Sequence, residues 1–152
     1  MNWTAEQFEE HMRRIAPQPV TITADDAVVE TRSEAMIQAE CTKLMQEDGW
    51  RPLRTDPVSD RSKGKGFGEV GMADYLYIRY WAWSSASKWQ ADLLWIEYKA
   101  PKGEPQKHQT EWHTKERSRG ALTLIAGVDF PASVAGFTEW YKASGLNRGG
   151  VR

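Results

Sequence analysis

Apolar residues recur at helical spacing at the start of the chain. Trp3, Phe8, Met12 and Ile15 share one side, Thr4 is a good N-cap with Gln7 three residues on, and Pro17 and Pro19 follow, which predicts a helix over residues 3–15. Val20 to Thr23 reads as extended. From Asp25 to Asp48 a longer helical pattern places Val28, Val29, Ala35, Met36, Ile37, Cys41, Leu44 and Met45 mostly on one side, with Gly49 as the stop. The pattern leaves open whether this is one helix or two with a break near Thr31 to Ser33. Residues 51–72 are rich in Gly, Pro, Ser and charge and predict a long loop, with a short strand near 67–72. Tyr75 to Trp83 and Trp89 to Ala100 are dense in β-branched and aromatic residues, and the polar link 84–88 makes them a hairpin. A helix is predicted from Glu104 to about Arg119, with Pro105 in its first turn, and a buried strand from Ala121 to Gly127. A last helix over 132–144 turns Val134, Phe137, Trp140 and Tyr141 inward, Gly145 ends it, and residues 149–152 form a loose tail. The order predicts an α/β sandwich with a mixed sheet, a single domain over residues 1–152 with no internal repeat.

One strand carries chemistry at its end. Leu93 to Ile96 is apolar, then come Glu97, Tyr98 and Lys99, then the exit Ala100-Pro101-Lys102-Gly103. Side chains alternate across a strand, so Glu97 and Lys99 share one face and Tyr98 points to the other. In a hairpin, Asp74, at the start of the first strand, comes to lie near Glu97 at the end of the second. Two carboxylates and a lysine then converge.

Composition narrows the chemistry. The chain has 152 residues, 40% hydrophobic and 27% charged, with no run approaching the ~18 apolar residues of a membrane span. Residues 1–15 are acidic and amphipathic and unlike a signal peptide, which predicts a cytoplasmic protein. One cysteine, Cys41, and three scattered histidines, His11, His108 and His113, exclude an internal disulfide and zinc-finger spacing, so a metal site would use oxygen ligands. The net charge of −1 hides an asymmetry: residues 1–48 carry ten acids and four bases, residues 49–66 five bases and two acids, and residues 99–119 six bases and three acids. The two basic stretches flank the converging residues and suit a polyanion, although each also reads as ordinary solvated surface. Loop 51–72 reads as a flexible connection or as a basic flap on nucleic-acid backbone, and it lacks the spacing of a phosphate-binding loop. Trp81, Trp83, Trp89 and Trp95 read as core or subunit contact, with stacking on unpaired bases as the alternative.

Phosphodiester hydrolysis by a divalent cation needs hard oxygen ligands and a nearby positive charge. Asp74 and Glu97 supply the first, the Tyr98 carbonyl would project beside the ion, and Lys99 supplies the second. A third carboxylate from the preceding helix would complete the shell. Asp74, about twenty residues, then Glu97-x-Lys99 is the pattern of the PD-(D/E)XK nuclease superfamily.

The neighbouring residues narrow the resemblance. Gly71-Met72-Ala73-Asp74, then Leu94-Trp95-Ile96-Glu97-Tyr98-Lys99-Ala100-Pro101-Lys102-Gly103, then His108-Gln109, Trp112 and Gly120 closely resemble the VRR-NUC branch of that superfamily, in its stand-alone phage and bacterial form. Ser33-Glu34-Ala35-Met36-Ile37-Gln38, Leu44 and Gly49-Trp50 resemble the family's first helix. Ala73 stands where the superfamily has Pro, a position that only shapes the turn. The resemblance spans about residues 33–127, with helices 3–15 and 132–144 as additions. It implies a restriction-endonuclease-like fold with an αβββαβ core and a DNA endonuclease dependent on Mg2+ or Mn2+. It further implies Asp74, Glu97 and the Tyr98 carbonyl as metal ligands, Lys99 as the catalytic lysine, Glu34 as the helix carboxylate, acting through water if not directly, and Gln109 beside the site. Glu40 competes with Glu34, because Thr31 to Glu34 also reads as a capping box. His108 and His113 read as backbone contacts or surface residues rather than general bases. Lys63, Lys65, Lys102, Lys107, Lys115, Arg117 and Arg119 are the candidate DNA contacts. Stand-alone members resemble Holliday-junction resolvases, which implies branched DNA, a homodimer, a role in DNA repair or phage biology, and a bacterial or phage-infected cell. A nicking or restriction-type endonuclease and a non-catalytic DNA-binding module are the alternatives.

Overall fold

The computed structural model describes residues 31–55, 68–81 and 90–147. In chain order they form α1 (Glu34–Glu47), β1 (Arg51–Arg54), β2 (Tyr75–Trp81), β3 (Gln90–Glu97), α2 (Lys107–Ser118), β4 (Thr123–Ile125) and α3 (Val134–Ser144). The first six follow the expected αβββαβ order. They build a mixed sheet in the order β1-β2-β3-β4, antiparallel at the first two pairings and parallel at the third. Helix 3–15, the extended stretch 20–23, the hairpin tip and tail 149–152 lie outside the described residues.

The sheet is covered unequally. On one face Tyr77, Leu94, Ile96, Tyr98 and Leu124 meet Ile37, Cys41 and Met45 of α1 and Phe137, Trp140 and Tyr141 of α3. The rings of Phe130, Phe137 and Trp140 lie 5.1–5.8 Å apart, and each fully buried ring contributes about 2–3 kcal/mol. A hydroxyl chain crosses this core, from Thr42 of α1 to Tyr77 at 2.7 Å and on to Tyr98 at 2.8 Å. Burial raises both phenols and keeps them protonated. On the other face α2 packs Trp112 edge-on to Trp95 at 5.3 Å. Trp95 thus belongs to the fold, and so does Trp81, whose indole N–H donates to Asp92 at 3.0 Å.

Several boundaries differ from the expected ones. In the expected pattern 25–48 the chain is non-helical at 31–33, where a break was left open, and α1 begins at Glu34 because Ser33 takes an extended conformation and its hydroxyl accepts from the Met36 N–H at 3.4 Å. β1 lies where a loop was expected. Pro52 and the flanking arginines disguise it in sequence, yet they suit a sheet edge, where a missing donor and charged ends cost little. No strand forms over residues 68–72; Gly68 and Gly71 take positive φ there and the Met72 N–H closes a turn on the Glu69 carbonyl at 3.1 Å. α2 starts at Lys107, three residues later than expected, so Pro105 precedes the N-cap Gln106 instead of lying in the first turn. β4 and α3 are shorter than expected because pairing with β3 and capping by Ser133, not hydropathy, set their ends.

A polar anchor at the far end of the sheet has no counterpart in the sequence pattern. The Leu146 carbonyl accepts from Trp50 Nε1 at 3.2 Å, Arg79 at 2.6 Å and the Tyr141 hydroxyl at 3.3 Å. Arg79 lies 4.3 Å over the Trp50 ring and pairs with Asp92 at 3.0 Å. This ties the end of α3 to β2 and leaves the other end of the strands free to carry the charged residues.

Candidate active site

The hairpin register sets the site. Tyr75 opposes Ile96, so Asp74 and Glu97 flank the last rung of the β2–β3 ladder. The backbone N–H of Tyr98 donates to Asp74 Oδ2 at 2.8 Å, and the Thr55 N–H donates to the Asp74 carbonyl at 2.8 Å. The Thr55 hydroxyl also donates to the Ala73 carbonyl. The turn entering β2 is therefore held by β1 on one side and β3 on the other.

Glu97 is fully buried. Its Oε1 accepts from Lys99 Nζ at 2.5 Å and from Gln109 Nε2, while its Oε2 has no hydrogen-bond partner among the described residues. Burial pushes the carboxyl up to about 7, and the Asp74 charge adds to this against the opposing pull of Lys99. An unpartnered buried carboxylate oxygen is costly. The Lys99 side chain is 12% exposed, so the ion pair lies largely out of water. Tyr98 points into the core, as alternation requires, which fixes the backbone between Glu97 and Lys99.

Gln109 is held at both ends of its amide. Its Oε1 accepts from the Gln106 N–H at 2.9 Å at the start of α2, and its Nε2 reaches Glu97. Glu34 is the first residue of α1; its Oε2 accepts from the Ala100 N–H at 3.1 Å, one residue beyond Lys99. The capping box read over Thr31 to Glu34 does not form, because Ser33 is the cap and Glu34 is free to face the strand end. Glu40 lies on an exposed part of α1, 4.0 Å from Arg32.

Five of the candidate DNA contacts lie within the described residues, and Lys63 and Lys65 lie outside them. Lys102, Lys107 and Lys115 are exposed. Arg117 is instead bound to the Thr123 carbonyl at 2.8 Å and to Asp129 at 2.5 Å, and Arg119 pairs with Glu116 at 2.8 Å. Lys107 and Lys115 thus stand exposed on α2, while Arg117 and Arg119 also hold contacts within the fold.

His108 is exposed, and its backbone carbonyl lies against Gly71. His113 is buried, contrary to the surface reading, with Nδ1 2.8 Å from the Thr123 hydroxyl. Burial, then the charges of Arg117 and Lys99, lower its pKa to about 4. The ordinary value is about 6.5, so the fold favours the neutral ring. This contribution is complete above pH 6.5 and is lost as pH falls from about 6.5 to 4, by on the order of 3 kcal/mol. Glu97 acts in the opposite sense between about 7 and 4.5, because its raised carboxyl takes up a proton more readily in the folded chain. Comparing urea unfolding of wild type and His113→Asn at pH 7.5 and 5 cancels that common term. The variant is expected to lose less stability on acidification; an equal loss would remove His113 as the source.

The site has parts that suit a divalent cation: two hard carboxylates at the ends of adjacent strands, one with a bare buried oxygen. Among the described residues no three His, Cys, Asp or Glu side chains converge into a cage. Mg2+ commonly keeps several waters and takes only one or two carboxylates, so two acids and a backbone carbonyl are chemically adequate. Also among the described residues, no helix is long and apolar enough to cross a membrane.

No protein-family model and no curated protein matches the chain. Among solved structures the chain is similar to one described as a VRR_NUC domain, at 18% identity and a TM-score of 0.49, over 72% of this chain and 94% of that one.

Proposed function

We propose that this chain is a divalent-metal-dependent DNA endonuclease of the VRR-NUC type, acting on branched DNA. The observation that carries the reading is the arrangement at the strand ends: Asp74 clasping the Tyr98 N–H, Glu97 buried with one bare oxygen, and Lys99 and Gln109 both on its other oxygen. Asp74, Glu97 and the Tyr98 carbonyl would hold Mg2+ or Mn2+, with Glu34 acting through water. A bound cation supplies Lewis acidity at the phosphate and lowers the pKa of water. Lys99 offsets negative charge that develops on the phosphate and orients the attacking water. Gln109 holds Glu97 in one rotamer, and burial of Tyr98 keeps the intervening peptide in place. Exposed Lys102, Lys107 and Lys115, with Lys63 and Lys65 from the sequence after β1 and Arg117 and Arg119 near the end of α2, meet the DNA backbone. Opposed cuts in a four-way junction require two sites related by symmetry, so the working form is a homodimer.

Labelled four-way, flapped and linear duplex DNA, incubated with Mg2+, Mn2+ or chelator, tests this reading. Metal-dependent cleavage that favours branched substrates is expected, as is sedimentation of the protein as a dimer. Preferred cutting of linear duplex would identify a nicking or restriction-type enzyme. Binding without cleavage in either metal would identify a non-catalytic DNA-binding module.

A further inference from the structure

The turn that delivers Asp74 is fastened to α2 at two points, and neither lies among the converging charges. Glu69 Oε2 accepts from the indole N–H of Trp112 at 2.9 Å. Two residues on, Gly71 lies so close to α2 that a Cβ would fall 2.1 Å from the His108 carbonyl oxygen and 3.0 Å from the Gln109 nitrogen. Trp112 is 5% exposed and wedged edge-on against Trp95 of β3, so its N–H is a fixed donor. A closed circuit results. It runs from Glu69 through the turn to Asp74, across the Tyr98 N–H to Glu97, over to Gln109, and back along α2 to Trp112.

We propose that Glu69 is a positioning residue, which acts through Trp112 to fix α2 and so to set the reach of Gln109 to Glu97. The proposal rests on the nuclease reading for its effect on rate, and on geometry alone for its effect on Gln109. Glu69 is exposed and its carboxylate accepts from Trp112 of α2, so its influence reaches Gln109 through the helix. A displacement of about 1 Å in a group aligned for reaction costs up to about a hundredfold.

Glu69→Ala and Trp112→Phe, which keeps an aromatic ring, smaller than the indole, and removes the donor, are each expected to lower kcat for DNA cleavage about tenfold with the Kd for DNA unchanged. Glu69→Gln retains an acceptor and is expected to restore the rate to within about twofold. On a Gln109→Ala background, Glu69→Ala is expected to add nothing. An undiminished tenfold loss on that background would overturn the proposal, as would a loss of DNA affinity with kcat intact. A second readout needs no activity: the side-chain amide resonances of Gln109, followed by NMR, are expected to move in Glu69→Ala and return in Glu69→Gln. Unmoved resonances would refute the link between Glu69 and Gln109 even if the protein cleaves DNA. Moved resonances in a protein that cleaves no DNA would uphold the link and refute the nuclease reading.

Discussion

Lys99→Met is expected to lower metal-dependent DNA cleavage by about 10²–10³-fold while the chain still binds Mn2+. The substitution keeps the length of the side chain and removes only the ammonium, which lies 2.5 Å from Glu97 and largely out of water. Its charge has two tasks in the proposed site. In the resting protein it offsets the Glu97 carboxylate, and in the reaction it offsets charge growing on the phosphate. Removing one partner of a buried pair also destabilises, by about 3–5 kcal/mol at the upper end, and Gln109, which continues to donate to Glu97, reduces this. The double variant Glu97→Gln/Lys99→Met separates the two effects. With neither charge left, it is expected to recover most of the stability lost by Lys99→Met and none of the activity. Single-turnover cleavage and urea unfolding on the same preparations provide the two measurements. Cleavage within about tenfold of wild type in Lys99→Met would remove the lysine from the chemistry.

Gly71→Ala is expected to cost about 2–4 kcal/mol of stability. Two causes combine. The residue has φ +85°, where an L side chain costs about 1 kcal/mol, and the new Cβ would meet the His108 carbonyl oxygen at 2.1 Å, inside van der Waals contact with backbone that cannot swing aside. Gly49 is a built-in control: it has φ +83° and nothing within 4 Å, so Gly49→Ala is expected to show the conformational cost alone, about 1 kcal/mol. The difference between the two measures the close approach of the turn to α2. Because relief of the clash must shift α2 or the turn, Gly71→Ala is also expected to separate Gln109 from Glu97 and to slow cleavage, which Gly49→Ala is not. Equal costs for the two alanines, from urea midpoints at matched m-values, would show that the approach is relieved without strain.

The parts of the site that alternate along a strand were legible in the sequence. Glu97, Lys99 and Tyr98 needed only the period of two, and Asp74 needed only a hairpin with a short link; the ladder from Tyr75–Ile96 to Trp81–Gln90 has the register that joins them. The resemblance put Glu34 ahead of Glu40, but the local pattern did not separate them, because Thr31 and Ser33 are both credible caps; the extended conformation at Ser33 makes it the cap. β1 was hidden because an edge strand flanked by arginines and interrupted by Pro52 carries a loop's composition. The burial of His113 and the internal contacts of Arg117 and Glu69 were hidden for a common reason. Their partners, Thr123, Asp129 and Trp112, are brought to them by packing, and nothing in local periodicity announces a contact of that kind. Gly71 belongs to the Gly71-Met72-Ala73-Asp74 motif, but its task of admitting the His108 carbonyl appears only with α2 in place.

In the proposed enzyme Asp74 and Glu97 together form a divalent-cation site. Calorimetric titration of Mn2+ into chelator-treated wild type and into an Asp74→Asn/Glu97→Gln variant tests it most directly. Saturable binding is predicted for the wild type and its loss for the variant, with the far-ultraviolet circular dichroism of the two unchanged. Equal binding by both proteins, or none by the wild type, would contradict the account.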